Sequence, residues 1–233
     1  MRGAALGVLA LAAAGITACG GSSLPIQDSA EQVVRLDEPK IVEIQAPDGS
    51  IGSGVVFDDK GDIVTNAHVV GTAARFEVTQ TAGTAPLPAR IIGASPSHDL
   101  AVIRVTKHSD RLHPVTWADS AKVQVGEWVL AMGTPFGLAD TVTQGIVSAT
   151  NRSVQEAETK PVVVITGAIQ TSADVNPGNS GGGLVDLNGD VLGIPTLGLA
   201  DPQLGAIPGI GFAIPSNTVV AVARQLIGHH AGG

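Results

Sequence analysis

From position 40 onward, apolar residues come in short runs rich in Val, Ile and Thr, broken by Gly, Pro and Asp. Such runs read as β-strands. A first set covers 41–46, 54–57, 62–66, 75–79, 89–92 and 100–105; a second covers 127–132, 141–150, 161–166, 183–185, 191–194 and 211–214. Turn chemistry separates them, as in Asp58-Asp59-Lys60-Gly61, and Asn188-Gly189 is a strong hairpin signal. One long helix is predicted. Pro215-Ser216-Asn217 opens it, and Val219, Val220, Val222, Ala223, Leu226 and Ile227 form its apolar stripe. No repeat of solenoid length is visible. Two groups of about six strands with a C-terminal helix predict an all-β fold of two packed barrels. The barrels cover roughly 39–115 and 120–215, with the connection near 114–121.

The start of the chain has a different texture. Arg2 gives a minimal positive region, 6–14 is an Ala-rich apolar stretch, and Ile16-Thr17-Ala18-Cys19 follows. An aliphatic residue, two small residues and a Cys resemble a bacterial lipobox. The resemblance implies a signal peptide over 1–18, cleavage before Cys19, lipidation of Cys19, and a protein held on a membrane of the bacterial cell envelope. An ordinary secretory signal with an incidental Cys is the other reading. The polar stretch 19–38, opening with Gly20-Gly21-Ser22-Ser23, is predicted to be a flexible tether. The remaining 39–233 is expected to be the folded domain. Cys19 is the sole Cys, so no internal disulfide is available and the core alone must hold the fold.

Composition narrows the function. With 44% hydrophobic and 15% charged residues, the 233-residue chain can bury a real core and is not of the disordered class. The formal charge of −8 and the lack of any Lys/Arg cluster exclude a nucleic-acid partner. No cofactor is expected. A metal site is not expected either, since His229-His230 is an isolated tail pair without the spacing of a ligand set.

Three segments carry candidate chemistry: Thr65-Asn66-Ala67-His68-Val69-Val70, His98-Asp99-Leu100-Ala101-Val102-Ile103, and Asn176-Pro177-Gly178-Asn179-Ser180-Gly181-Gly182-Gly183. A serine hydroxyl is a poor nucleophile unless a base takes its proton. The glycines around Ser180 allow a tight turn that could aim the amides of Gly178 and Ser180 at one point, as an oxyanion requires. An imidazole with an ordinary pKa of about 6.5 suits the base, which nominates His68. Asp99 opens an apolar strand, where a carboxylate needs a partner such as a His N–H. Each signal alone has a plainer reading: a Gly-rich β-turn with an idle serine, a structural histidine, a turn-capping aspartate. Gly178-Asn179-Ser180-Gly181-Gly182 also matches G-x-S-x-G. A nucleophile elbow, however, needs a following helix and a later acid and histidine, whereas a Gly run and a hairpin follow here. His98 reads as a solvated neighbour.

In this order, His then Asp then Ser, the sequence resembles the HtrA/Deg group of trypsin-fold serine proteases. The likeness runs from about Ile51 to the helix after Pro215, through GSGVVFDDKGDIVTNAHVV, HDLAVIRV, ADSAKVQVGEWVLAMGTPFGLADTVTQGIVSA, IQTSADVNPGNSGGGLVDLNGDVLGI and GIGFAIPSN. It implies a trypsin-like double six-stranded β-barrel with the site in the cleft. It implies a catalytic triad of His68 as base, Asp99 as its orienting partner and Ser180 as nucleophile. It also implies an oxyanion hole at Gly178, Asn179 and Ser180, and a substrate pocket lined by Asp174, Val175, Thr196, Gly211, Phe212 and Ala213. The family often prefers small aliphatic side chains at the cleavage site. Asp174, six residues before Ser180, has the offset of trypsin's basic-specificity carboxylate, so a basic preference is the alternative. Asn179 stands where trypsin-type zymogens carry the acidic residue of N-terminal activation, so no propeptide activation is expected.

Two positions and the extent of the sequence depart from the family pattern. Pro195 replaces a common Asn in the strand expected to pair with substrate, and proline has no N–H to offer. Gly183 replaces a common Pro. The sequence ends at Gly233, so the PDZ domains usual in HtrA proteases are expected to be absent. The resemblance implies a serine endopeptidase acting on extracytoplasmic proteins, misfolded ones included, with protein or peptide substrates as partners. A homo-oligomer stays open. A non-catalytic binding or chaperone-like module using the same cleft is the competing class, and the intact triad favours the enzyme.

Overall fold

A computed structural model of the chain describes residues 25–80, 84–134, 141–156, 163–176, 178–201 and 205–231. The first barrel is built from β1 (Ile41–Gln45), β2 (Ile51–Val56), β3 (Asp62–Thr65), β4 (Arg75–Thr79), β5 (Leu87–Ser95) and β6 (Leu100–Val105). It closes in the order β1-β2-β3-β6-β5-β4, with every pair antiparallel. The second contains β8 (Trp128–Gly133), β9 (Thr141–Glu156), β10 (Val163–Thr171), β11 (Gly183–Asp186), β12 (Asp190–Asp201) and β13 (Gly205–Pro215). Its order is β11-β8-β9-β10-β13-β12, and a β11–β12 pairing closes the ring. A short β7 (Thr116–Trp117), in the connection between barrels, adds parallel to β12.

Side-chain alternation explains why the strands read as nearly unbroken apolar runs. In β6, Ala101, Ile103 and Val105 fill the first barrel, while Leu100 and Val102 join a second cluster outside it. In β8, Val129 and Ala131 fill the second barrel, while Leu130 and Met132 join that same outer cluster. Successive strand side chains point to opposite faces, so strands buried on both faces must be apolar throughout. The shared outer cluster also takes in Val219, Val222 and Ala223 of α3 (Ser216–Ala231), the predicted C-terminal helix. Leu226 of that helix lies over Gly93 of the first barrel. Ser216 and Asn217 fasten its start to the connection, through Ala118 O at 2.7 Å and Ser120 Oγ at 3.1 Å.

Several elements differ from the sequence reading. The tether predicted over 19–38 is helical from Pro25 on, as α1 (Pro25–Asp37). Proline suits a helix's first turn. Ala30, Val33 and Val34 turn one face onto the outer cluster, so packing holds this polar segment in place. Beside it, a groove of about 830 Å³ is lined by Ile26, Ala30, Val34, Trp128, Leu130 and Val142, none of them a predicted site residue. Strands β9 and β10 extend past the predicted runs because exposed polar residues such as Arg152 and Ser153 hide the pairing. Residues 1–18 and Cys19 lie outside the described residues.

Candidate active site

Strands β3 and β6 pair with Thr65 opposite Ala101, so the residue after β3 and the residue before β6 meet at one rim of the first barrel. Beyond β3, the one-turn helix α2 (Ala67–Val70) carries His68. Ahead of β6, a tight turn over Pro96–His98 delivers Asp99 at φ 49 and ψ 43, a left-handed conformation that aspartate tolerates better than most residues. Asn66 fixes this turn through an Nδ2 bond to the Asp99 carbonyl at 2.9 Å.

The Asp99 carboxylate is buried and fully engaged. It accepts the His68 backbone N–H at 3.0 Å, and its Oδ2 lies 2.9 Å from His68 Nδ1 and 2.6 Å from the Thr196 hydroxyl. A carboxylate only accepts, so the neutral imidazole carries its proton on Nδ1 and presents Nε2 as its acceptor nitrogen. The Asp99 side chain is 2% exposed and that of His68 35%. The acid is thus shielded while the ring reaches solvent.

Ser180 sits on a turn of the second barrel just before β11. Its Oγ lies 3.4 Å from the Thr196 carbonyl oxygen. Thr196 therefore meets Asp99 with its side chain and Ser180 with its backbone. In this turn Asn179 N–H donates to Asn176 O, Gly181 N–H to Pro195 O and Gly182 N–H to Asn179 O, all at 3.0 Å. The N–H groups of Gly178 and Ser180 have no acceptor among the described residues. The turn needs its glycines. Gly178 has φ +107, and at Gly181, φ +83, a Cβ would run into the Ser53 carbonyl and the Thr65 hydroxyl.

The remaining predicted residues divide. Asn179 is 1% exposed and its amide is engaged, so it is a plug beneath the turn rather than a donor to the cleft. Thr196, predicted in the pocket, instead points its hydroxyl at Asp99. Asp174 is exposed; its Oδ1 accepts the Gly209 N–H at 3.1 Å and its carbonyl takes the Thr143 hydroxyl at 2.7 Å. Val175 packs against Gly211, where a Cβ would sit 2.5 Å from Val175 Cγ2. Phe212 and Ala213 are buried, Ala213 in the second barrel's core. Pro195 pairs with Ala213 in the sheet and uses its carbonyl on Gly181. Sequence reasoning missed the role of Thr196 and overlooked Ser53 altogether. Neither carries a local signal, since both act across 80 or more positions of chain, Ser53 on Thr134 and Thr196 on Asp99.

Two closed antiparallel barrels, with a His–Asp pair on the rim of one and a serine on a glycine turn of the other, define the trypsin-fold class. Comparison with known proteins places the chain within it: residues 52–194 match the trypsin-like peptidase domain, and the chain belongs to that family. It is 45% identical over 179 residues to the periplasmic serine endoprotease DegP of Escherichia coli K12, covering 76% of this chain and 36% of DegP. It is 40% identical over 195 residues to the chloroplastic Protease Do-like 1 of Arabidopsis thaliana, covering 83% of this chain and 43% of that protein. The chain thus spans less than half the length of these relatives. The HtrA-type protease AlgW, solved with a tripeptide, superposes with a TM-score of 0.75 at 35% identity, covering 85% of this chain and 64% of AlgW.

Proposed function

We propose that the chain is an extracytoplasmic serine endopeptidase working through an acyl-enzyme, with Ser180 as nucleophile, His68 as general base and acid, and Asp99 as the group that orients His68. The observation that carries this reading is the double role of Thr196, which brings Asp99 and Ser180 to one place although they lie on different barrels. In the reaction, Ser180 Oγ attacks the scissile carbonyl carbon and its proton passes to His68 Nε2. The carbonyl oxygen becomes an oxyanion, and the N–H groups of Gly178 and Ser180, unengaged among the described residues, receive it. Each such donor is worth about 3 kcal/mol of barrier. His68 then hands the proton to the departing amine, which leaves as the carbon–nitrogen bond breaks. Water, deprotonated by the same imidazole, then attacks the acyl carbon, and the carbon–Oγ bond breaks as His68 returns the proton to Ser180 Oγ.

The substrate class we favour is protein chains with small aliphatic side chains at the cleavage site. Val175 lies where Gly211 leaves room, and one carboxylate oxygen of Asp174 is occupied by the Gly209 amide rather than free for a cation. A peptide-library profile dominated by Arg or Lys at that position overturns this preference. Location outside the cytoplasm is supported by the periplasmic relatives. Anchoring is supported by the sequence Ile16-Thr17-Ala18-Cys19. Incorporation of labelled fatty acid that persists in Cys19→Ser overturns the anchor.

The test of the activity is casein hydrolysis and fluorophosphonate labelling by the wild-type chain and by Ser180→Ala. Turnover is expected to fall by about 10⁴-fold or more, with labelling abolished. Equal turnover by the two proteins removes Ser180 from the mechanism and leaves a binding module.

A further inference from the structure

We infer that Ser53, a residue of the first barrel, is a positioning residue that sets the oxyanion-binding amides of the second; the inference rests on the protease reading above. Ser53 is in β2 and is fully buried. Its backbone N–H donates to the Ser180 carbonyl at 3.1 Å, and its hydroxyl donates to the Gly178 carbonyl. That hydroxyl is itself fixed, because it accepts the Thr134 N–H at 2.9 Å. The Ser53 carbonyl takes the Thr65 hydroxyl at 2.6 Å, which ties the residue back into its own barrel. One residue thus holds the carbonyls of the same two residues whose N–H groups have no acceptor among the described residues.

The consequence follows from peptide planarity. The 178–179 peptide is held at both ends, its oxygen by the Ser53 hydroxyl and its N–H by the Asn176 carbonyl. The 180–181 peptide is also held at both ends, its oxygen by the Ser53 N–H and its N–H by the Pro195 carbonyl. Between them, the 179–180 peptide has its oxygen on Gly182 N–H, so the N–H of Ser180 is left as its one unused group among the described residues. Gly178, with φ +107 and no side chain, could rotate readily without such a clamp. The Ser53 hydroxyl supplies the only part of the clamp on the 178–179 oxygen among the described residues. Electrostatic stabilisation depends on donors fixed before the charge appears, so a loosened clamp costs rate at the transition state rather than substrate affinity.

Ser53→Ala removes the hydroxyl and leaves the backbone bonds. In peptide hydrolysis, kcat is expected to fall about 10- to 100-fold with KM changed less than about threefold. A peptide boronate, whose tetrahedral adduct on Ser180 places an oxygen at the two amides, is expected to bind more weakly by the same factor. A peptide amide without a cleavable bond is expected to bind as before. Ser53→Thr, which keeps a hydroxyl, is expected to recover most of the loss. Should Ser53→Ala not fold, Ser53→Cys, near-isosteric with a weak donor, takes its place with the same readings. Unchanged kcat and boronate affinity in the variant overturn the inference, as does a loss carried by KM alone. A wild-type chain that neither cleaves peptide nor labels at Ser180 sinks the protease reading instead, so the two failures are distinct.

Discussion

The hydroxyl of Thr196 donates to Oδ2 of Asp99 at 2.6 Å, across 97 positions of sequence and from the second barrel to the first. With the His68 ring and the His68 amide, it completes the set of donors around a carboxylate that is 1% exposed as a residue. An ionised carboxylate in such a place persists only with its hydrogen bonds made. The site is therefore assembled by docking one barrel on the other and does not exist on either alone.

Thr196→Val keeps the shape and removes that donor. The carboxylate should then hold His68 less firmly, and kcat/KM is expected to fall about tenfold, equivalent to about 1.4 kcal/mol. Steady-state peptide hydrolysis measures it; an unchanged kcat/KM means that the His68 contacts alone orient the ring.

Asp99→Asn offers an amide donor where the carboxylate accepted, and so favours the wrong imidazole tautomer. A loss of about 10⁴-fold in kcat is expected near neutral pH. In the wild-type protein only the neutral His68 ring can take the Ser180 proton, so kcat/KM should rise from about pH 5 to pH 8. A flat profile over that range removes His68 as the base.

Arg104 forms two bonds of 2.6 Å to the buried Asp62, opposite it in the β3–β6 register. Burial pushes the Asp62 carboxyl up, against the pull of the guanidinium. Arg104→Met strands that carboxylate and is expected to cost about 3 kcal/mol at pH 7 by denaturant unfolding. The carboxyl's folded pKa then stands far above its unfolded value, so the deficit should shrink as pH falls and Asp62 takes a proton. A deficit independent of pH indicates lost packing instead.

Asp190 has its carboxyl pushed up, first by burial and then by repulsion from Asp186 and Asp37. A raised carboxyl pKa lowers stability once pH exceeds the unfolded value and passes through the folded one. Asp190→Asn is accordingly expected to raise Tm by about 1 °C at pH 7, and to lose that advantage below about pH 4. Calorimetry at the two pH values tests it, and a lower Tm at pH 7 shows that Lys40 attraction prevails.

Short, nearly unbroken apolar runs marked nearly every strand, because burial on both faces leaves polar residues little room in β6 and β8. The turn glycines around Ser180 were equally plain, since a backbone at φ +107 or +83 excludes other residues at little cost only with glycine. Where exposed polar residues alternate, as near the end of β9, the pattern faded and the strand was underestimated. Helix α1 was missed for a related reason. Its apolar stripe is narrow, and what orders it is the barrel face beneath Val33.

His68, Asp99 and Ser180 could be nominated from their own neighbours, because the backbone shape each requires leaves a local trace in glycines, turns and strand ends. The move of Thr196 from pocket to carboxylate and the grip of Ser53 on Gly178 and Ser180 left no such trace. Those contacts join segments far apart in the chain. Hydrogen bonds of about 3 Å between them form only after apolar burial has set one barrel against the other, so folding alone decided them.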